Sequence, residues 1–254
     1  LRLKGRKKID MTDSALKIQA LFLKTINKKH FEHAKNFISA LPEDFTVTFH
    51  AGALGTKPNT LESIKKALDY GAKVVEFDVT FRPDGTAVIL HADSAKADEG
   101  VLLNDALAIV AADKNCRINL DIKSTANLAE VDKLVKEHSL FERVFYTGVF
   151  ADWVETVKAT SAIPYYLNHK LTAVESKSEE KLQNLADEII ALGAIGLNSN
   201  LNHATALATE IMRKNGLLVS LWTANTPAEM AKVIACLPDN LTTKKPHITL
   251  DMLK

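Results

Sequence analysis

The sequence contains little cysteine, no long apolar run and almost no net charge. Its two cysteines, Cys116 and Cys236, do not form a paired motif, which argues against a disulfide framework or a thiolate zinc site. The formal net charge of +1 removes the usual electrostatic argument for a nucleic-acid partner. No apolar stretch approaches the ~20 residues that span a bilayer, so we expect no stable membrane insertion.

The start of the chain is strongly basic. The basic residues there are Arg2, Lys4, Arg6, Lys7 and Lys8. The apolar core of a secretory signal does not follow them, so we interpret them as a solvated tail, with a membrane-surface or nucleic-acid arm as the alternative. The sequence begins at Leu1 instead of Met, which allows for a secretory signal trimmed from its N-terminus. Without such a signal, we expect a cytoplasmic location. The sequence does not predict an oligomeric state.

The chain has a regular alternation of apolar patterns. Residues 14–41 carry apolar side chains at helical spacing and predict one or two helices. Eight short apolar runs then alternate with amphipathic stretches: Phe45–His50, Lys73–Thr80, Arg117–Ile122, Arg143–Thr147, Ile163–Leu167, Ala194–Asn198, Leu217–Thr223 and Asn240–Thr243. Strict alternation predicts a parallel sheet with crossover helices, and eight strands within ~250 residues favour closure into a barrel.

We therefore predict an α/β protein: a (β/α)8 TIM barrel over residues 45–254, with an N-terminal helical extension over residues 1–44. The turn sequence Arg82-Pro83-Asp84-Gly85 precedes a short apolar run, Ala87–His91. This pattern predicts a small hairpin after the second strand. Ser178 and Gly193 bound one amphipathic stretch as N-cap and stop signal of a helix.

Carboxylates occupy one face of two predicted strands. Side chains alternate along a strand, so Glu76 and Asp78 share a face, as do Asn119, Asp121 and Lys123 on the next strand. At strand ends in a barrel mouth, the three acids would repel one another unless a hard dication such as Mg²⁺ or Ca²⁺ bound them through oxygen. A buried ion-pair cluster with Lys123 and no metal is the alternative.

Two histidines fall at predicted strand ends beside these acids. His50 ends the first strand and precedes a loop containing Gly52 and Gly55, whose backbone could approach an anion; His91 ends the hairpin strand. Imidazole titrates near neutral pH, so the pair could exchange protons with a substrate. The remaining histidines, His30, His33, His138, His169, His203 and His247, are interpreted as structural or exposed.

Several motifs in order resemble the glycerophosphodiester phosphodiesterase family. They are His50-Ala51-Gly52, Asn59-Thr60-Leu61-Glu62, Gly71 through Val79, Asp84-Gly85-Thr86, His91, Leu120-Asp121-Ile122-Lys123, and Leu221-Trp222-Thr223-Ala224-Asn225 with Pro227. The resemblance implies a barrel with Glu76, Asp78 and Asp121 as ligands of one divalent cation, His50 and His91 as catalytic acid and base, and Lys123, Trp222 and Asn59 as substrate-binding residues. Barrel packing is the alternative role for Trp222.

The chain also departs from that family pattern. Ala51 stands where the family usually has a phosphate-binding arginine, Pro58 replaces a glutamate before Asn59, and the third carboxylate is Asp121 instead of Glu. The segment between His91 and Asp121 is shorter than in many members. An Asp ligand and a short insertion resemble the sphingomyelinase D-like phospholipases, a related barrel group.

The resemblance implies metal-dependent cleavage of a small phosphodiester, of glycerophosphodiester or lysophospholipid type, and hence a role in lipid metabolism. A neighbouring substrate hydroxyl would attack phosphorus, with His91 as base and His50 as acid. Two alternatives remain open. A metal-dependent lyase or aldolase barrel would bind a carboxylate, and a catalytically degenerate binding barrel is suggested by the missing arginine at Ala51.

Overall fold

The computed structural model describes residues 12–254, so the predicted basic tail lies outside it. The strands in that range are β1 Thr46–Phe49, β2 Val74–Phe81, β3 Ala87–Ile89, β4 Val101–Leu102, β5 Arg117–Ile122, β6 Val144–Val149, β7 Tyr165–Asn168, β8 Gly196–Asn200, β9 Leu218–Trp222 and β10 Asn240–Thr243. The helices are α1 Asp13–Ile26, α2 Lys28–Ile38, α3 Leu61–Asp69, α4 Leu103–Ala111, α5 Leu128–Glu137, α6 Val154–Thr160, α7 Glu179–Leu192, α8 Ala206–Lys214, α9 Pro227–Ala235 and α10 Pro246–Met252.

Eight parallel strands form a closed barrel, as predicted. The order around it is β1, β2, β5, β6, β7, β8, β9 and β10, and β1 pairs with both β2 and β10. Helices alternate with these strands along the chain. Of the helices in residues 12–254, none is both long and apolar enough to cross a bilayer.

The predicted hairpin follows the second strand. β3 runs antiparallel to β2 with Val79 opposite Ile89, and β4 extends the hairpin with Ile89 opposite Val101. β4 has two residues, too few for any periodicity to appear in the sequence, and it was not predicted. The hairpin lies beside the end of β2 and positions the loop that carries His91.

β2 is buried along its whole length, because one face meets the helices and the other faces the barrel interior. Val75, Phe77 and Val79 belong to the main apolar core. Side-chain alternation therefore turns Glu76 and Asp78 inward. The same strand that supplies core packing thus carries two carboxylates into the interior of the barrel.

Two helices precede the barrel, within the segment for which one or two were predicted. α1 buries Leu16 and Ala20, and α2 buries Phe31 and Ala34. α1 packs on α10 and α2 packs on α9, so both helices cover the outside of the barrel near its closure.

The helix boundaries follow their capping residues. The Ser178 side chain accepts a hydrogen bond from the Lys181 N–H at the start of α7, and Gly193 ends that helix at φ +79°, as the sequence predicted. α9 begins with a capping box in which Thr226 and Glu229 satisfy each other's backbone N–H groups.

Candidate active site

Three carboxylates meet at the carboxyl ends of two neighbouring strands. β2 and β5 pair in register with Asp78 opposite Asp121, and Glu76 lies one inward position earlier on β2. One carboxylate oxygen from each residue lies within 4.8 Å of the others. Glu76 and Asp78 are buried, whereas Asp121 is half-buried. We call Glu76, Asp78 and Asp121 the acidic cluster; they are the three residues predicted to bind a cation.

Glu76 has the least compensated charge of the cluster. Burial raises its pKa well above the ordinary value, and the charges of Asp78 and Asp121 raise it further. Its hydrogen bond from the Ala51 N–H, at 2.7 Å, and the more distant charge of Lys123 do not reverse that shift.

Lys123 forms ion pairs with the other two acids. Its Nζ lies 2.9 Å from Asp78 Oδ1 and also contacts Asp121 Oδ2. Burial alone would lower the pKa of Lys123, but the two carboxylates raise it above its ordinary value, so the lysine is charged. Burial alone would raise the pKa of Asp78, yet Lys123 and the Asn59 amide hold it below its usual range.

The donor set fits a hard dication. Oxygen ligands are those that Mg²⁺ and Ca²⁺ prefer, and three acids face one lysine. The alternative of a metal-free ion-pair cluster accounts for Asp78 and Asp121, which Lys123 contacts, but leaves Glu76 buried with a strongly raised pKa. A divalent cation would stabilise the ionised form of Glu76 and gain it as a third oxygen ligand.

His50 and His91 lie on either side of the acidic cluster. His50 Nδ1 lies 3.2 Å from the Ala51 carbonyl oxygen and 3.4 Å from Glu76 Oε2. Those acceptors fix the ring and favour a proton on Nδ1, leaving Nε2 for a ligand. His91 is largely exposed, and its Nδ1 lies 3.0 Å from Asp78 Oδ1.

The protonated form of His50 is disfavoured in this environment. Burial lowers its pKa below the ordinary value, and the positive charge of Lys244 lowers it further. The carboxylates of Asp78 and Asp121 act in the opposite direction but do not outweigh these effects.

Asn59 contacts the acidic cluster instead of the open cavity. Its Nδ2 donates to Asp78 Oδ2 at 2.7 Å, and its Oδ1 accepts the Asp78 backbone N–H at 3.0 Å. Its φ of +54° is one that Asn tolerates better than most residues. Both polar atoms of the amide are thus engaged by one neighbour, which favours an indirect role over the predicted substrate contact.

A cavity of about 400 Å³ opens over the acidic cluster. It is lined by His50, Glu76, Asp78, His91, Asp93, Asn119, Asp121, Ile122, Lys123, Thr147, Gly148, Phe150, Trp153, Asn168, Lys170, Asn198, Trp222, Thr223 and Thr242. Seven of the eight site residues predicted from sequence line it; Asn59 does not. Trp222 forms part of the wall, and Ala51 is only 3% exposed and is not part of the lining.

The far wall contains residues that sequence reasoning missed. They are Phe150, Trp153, Asn168, Lys170 and Asn198, from β6 to β8 and the loops that follow. The rule that strand ends face the mouth would have pointed to them, but without neighbouring acids they formed no recognisable constellation. Phe150 and Trp153 pack edge to face with ring centroids 6.1 Å apart.

Amides connect part of this wall to the strands. Asn168 Oδ1 accepts the Gly148 N–H at 3.0 Å and Asn198 Nδ2 at 2.9 Å. Gly148 has φ +80°, and a Cβ there would lie 2.3 Å from the Ile122 carbonyl oxygen and 2.7 Å from Asp121 Oδ1. Only glycine therefore fits beside this carboxylate.

Comparison with known proteins gives one family match. Residues 50–97, which include His50, Glu76, Asp78 and His91, match the model of the glycerophosphoryl diester phosphodiesterase family. No curated protein sequence matches the chain.

Solved structures share the fold at low identity. A proposed glycerophosphoryl diester phosphodiesterase from Silicibacter pomeroyi superimposes with a TM-score of 0.71 at 18% identity, covering 87% of this chain and 97% of its own. A glycerophosphodiester phosphodiesterase from Parabacteroides distasonis gives 0.65 at 19%, covering 83% and 97%. An Oleispira antarctica phosphodiesterase in complex with the product sn-glycerol-3-phosphate gives 0.63 at 19%, covering 84% and 97%.

The fold and the geometry of the mouth define a TIM-barrel protein with a carboxylate site of the kind that binds a cation. The match over residues 50–97 confirms the predicted resemblance to the glycerophosphodiester phosphodiesterase family, and with it the class of enzyme, a phosphoric diester hydrolase.

Proposed function

We propose that this protein hydrolyses a glycerophosphodiester- or lysophospholipid-type substrate at the barrel mouth, using one divalent cation and two histidines. The observation that carries the proposal is the convergence of the acidic cluster, His50, His91 and Lys123 on one cavity. The family match covers the segment that supplies both histidines and two of the three acids.

Glu76, Asp78 and Asp121 would hold the cation, Mg²⁺ or Ca²⁺. When bound, it would supply charge stabilisation at a phosphoryl oxygen. Lys123, already charged and directed at Asp78 and Asp121, would then contact phosphate as a second cation. Ala51 offers no guanidinium to the phosphate. The lysines that line the cavity are Lys123 and the exposed Lys170 of the far wall, so they are the side chains that could supply positive charge in its place.

The histidines would transfer protons in opposite directions. His91 would accept the proton of a substrate hydroxyl as its oxygen forms a bond to phosphorus, with Asp78 holding the ring through Nδ1. The phosphorus–oxygen bond to the leaving group breaks, and His50, entering the step as the imidazolium, would give its Nε2 proton to the departing alkoxide while it keeps the proton on Nδ1. The product is a cyclic phosphate, which water then opens to a monoester.

The neighbouring hydroxyl of a glycerol or lysophospholipid substrate is what makes this route available. The Oleispira antarctica phosphodiesterase holds sn-glycerol-3-phosphate as product, and a cavity of about 400 Å³ accommodates a group of that size. We therefore propose glycerol-based diesters as the substrate class.

A substrate panel tests the proposal. Glycerophosphocholine, glycerophosphoglycerol, lysophosphatidylcholine and an aryl diester of glycerol 3-phosphate, which keeps the neighbouring hydroxyl, are incubated with the protein, with and without EDTA, and the products are identified by mass. We expect monoester or cyclic phosphate that disappears with EDTA and returns with Mg²⁺ or Ca²⁺. A folded protein that produces neither from any substrate would support the degenerate binding barrel instead.

The aryl diester separates the roles of the two histidines. Its leaving group is acidic enough to depart without a proton, so it should partly rescue His50→Ala but not His91→Ala. A pair that acts as a unit is non-additive, so the double variant should lose little more than either single one on alkyl substrates. Histidine variants within a few-fold of the unmodified protein would contradict the two-histidine mechanism.

A further inference from the structure

α1 presents an apolar face that the rest of residues 12–254 leaves uncovered. Ile18, Leu21, Phe22 and Ile26 are 69%, 66%, 60% and 59% exposed. Their spacing of three, one and four residues places them on one side of the helix. We call these four residues the α1 stripe. Scattered exposed apolar residues are ordinary, but a contiguous row on one helix marks an interaction surface.

The opposite side of α1 is firmly attached to the barrel. Leu16 and Ala20 are buried there. Gln19 Oε1 lies 2.9 Å from His247 Nε2, and Lys24 pairs with Asp251 at 3.5 Å. Both partners belong to α10. The α1 stripe is therefore the outer face of a packed helix.

Charge identifies the kind of partner. Residues 1–29 contain nine Lys and Arg but two acidic residues, a formal charge of +7, so the remaining residues must carry −6 to give the chain its net +1. In the described part of that segment, Lys17, Lys28 and Lys29 are exposed. An apolar helix face within a basic segment matches an anionic lipid surface, which offers acyl chains below a layer of negative headgroups.

The middle of α1 also lies at the mouth end of the barrel. His247, which contacts Gln19, lies in the first turn of α10, and this helix begins three residues after β10 ends. The carboxyl ends of the strands form the mouth of the cavity, so the middle of α1 lies beside that end of the barrel.

We propose that the α1 stripe docks the protein reversibly on anionic lipid surfaces. Ile18, Leu21, Phe22 and Ile26 would enter the interface between headgroups and acyl chains, and the exposed lysines of the same segment would attract the headgroups. The proposal does not depend on the proposed catalytic function, because docking uses no residue of the cavity.

Vesicle binding tests it directly. The full chain is sedimented with vesicles of phosphatidylcholine alone or of phosphatidylcholine mixed with phosphatidylglycerol. We expect binding to the mixed vesicles that is about tenfold tighter or more, and that weakens as salt is added. Binding to neither type of vesicle would overturn the proposal, as would equal binding to both.

Matched variants assign the effect to the stripe. Leu21→Gln with Phe22→Gln removes apolar surface while keeping residues compatible with a helix, and should lower vesicle affinity about tenfold or more. Ile190→Gln is the control, because Ile190 is 49% exposed on α7, away from the stripe. Circular dichroism and Tm should be unchanged in both, since the altered side chains are exposed.

The main competing occupant is a second copy of the chain. Light scattering on the same proteins distinguishes it. If the unmodified protein is a dimer that Leu21→Gln with Phe22→Gln converts to a monomer, and neither form binds vesicles, the stripe is a subunit interface and the proposal fails. Binding to nucleic acid with no binding to anionic vesicles would likewise overturn it.

Discussion

Asn59 and Asp78 are joined by two hydrogen bonds in opposite directions. The Asn59 amide nitrogen donates to the Asp78 carboxylate at 2.7 Å, and the Asp78 backbone N–H donates to the Asn59 carbonyl oxygen at 3.0 Å. Asp78 in turn contacts His91 and Lys123. One asparagine thus fixes the carboxylate on which a histidine and a lysine depend.

We predict that Asn59 acts as a positioning residue. Asn59→Gly removes the amide but keeps a residue that accepts the positive φ, and should lower kcat about 10- to 100-fold, with weaker cation binding and little change in KM. Asn59→Ala should lower kcat to the same extent. It should also lower the Tm, because alanine is strained at this positive φ. A raised KM with unchanged kcat would instead support the substrate contact predicted from sequence.

The barrel and the strand faces could be predicted because they depend on local rules. Alternation along β2 separated Glu76 and Asp78 from their apolar neighbours, and that separation holds in the folded chain. The strand bounds are within about two residues of prediction, with Arg117–Ile122 and Asn240–Thr243 matching in full. The alternation of buried apolar and inward polar side chains along a strand can be read directly from the sequence.

Other parts of the site depend on tertiary contacts that leave no local pattern. The double hydrogen bond of Asn59 joins residues 19 positions apart, and nothing near Asn59 in the sequence indicates whether its amide faces substrate or protein. Lys170 joins Phe150 and Trp153 only because two consecutive barrel strands, β6 and β7, end at the same mouth. Clusters of charged residues at strand ends can be recognised in a sequence, whereas aromatic residues that form a cavity wall cannot be distinguished there from core residues.

The second prediction concerns the cation. The pKa of Glu76 in the folded protein lies well above its ordinary value of 4.5, so the metal-free fold favours the protonated acid. The metal-free protein therefore loses stability as the pH rises from about 4.5 toward the folded-state pKa. Cation binding requires the ionised acid. The rise in Tm caused by Mg²⁺ or Ca²⁺ should therefore grow with pH across this window.

Two isosteric variants give a sharp comparison. Glu76→Gln removes the buried charge, so it should raise the Tm of the metal-free protein at neutral pH while abolishing both the metal response and the activity. Asp121→Asn, at the half-buried position, should weaken cation affinity and lower activity about 100-fold with the fold intact. Calorimetry that finds full cation affinity in both variants would refute the assignment of the acidic cluster.

The third prediction uses Lys244 to determine the role of His50. The Lys244 charge contributes to the lowered pKa of His50, so Lys244→Gln should raise that pKa by favouring the protonated ring. If His50 is the acid, its proton persists to higher pH and the alkaline limb of the bell-shaped kcat/KM profile moves up.

The same variant also tests the opposite assignment, in which His50 is the base. Were His50 the base, the raised pKa would move the acidic limb upward instead and leave the alkaline limb in place. Lys214→Gln is the matched control, since Lys214 lies on α8 and pairs with Glu210 at 2.7 Å. If the pH profile of kcat/KM for Lys244→Gln coincides with that of the control, the titration of His50 determines neither the acidic nor the alkaline limb.

The last prediction concerns substrate size. Ala51 gives no guanidinium for phosphate, and the far wall of the cavity is aromatic, with Phe150 exposed and packed edge to face on Trp153. A small head group covers little of such a wall, whereas an acyl chain would bury more apolar surface against it. We expect weak activity on glycerophosphocholine and higher kcat/KM on larger diesters such as lysophospholipids.

Phe150→Ala tests this directly, because loss of an aromatic contact should raise KM for the larger diesters about tenfold while leaving glycerophosphoglycerol, which has no quaternary ammonium to attract the ring, nearly unaffected. Val174→Ala, a truncation of another exposed apolar residue that does not line the cavity, should change neither. High turnover of glycerophosphocholine with no gain for larger diesters would show that the aromatic wall does not select the substrate. The phosphate of the small diester would then be held by the proposed cation and by Lys123, and the aromatic wall would add nothing to its binding.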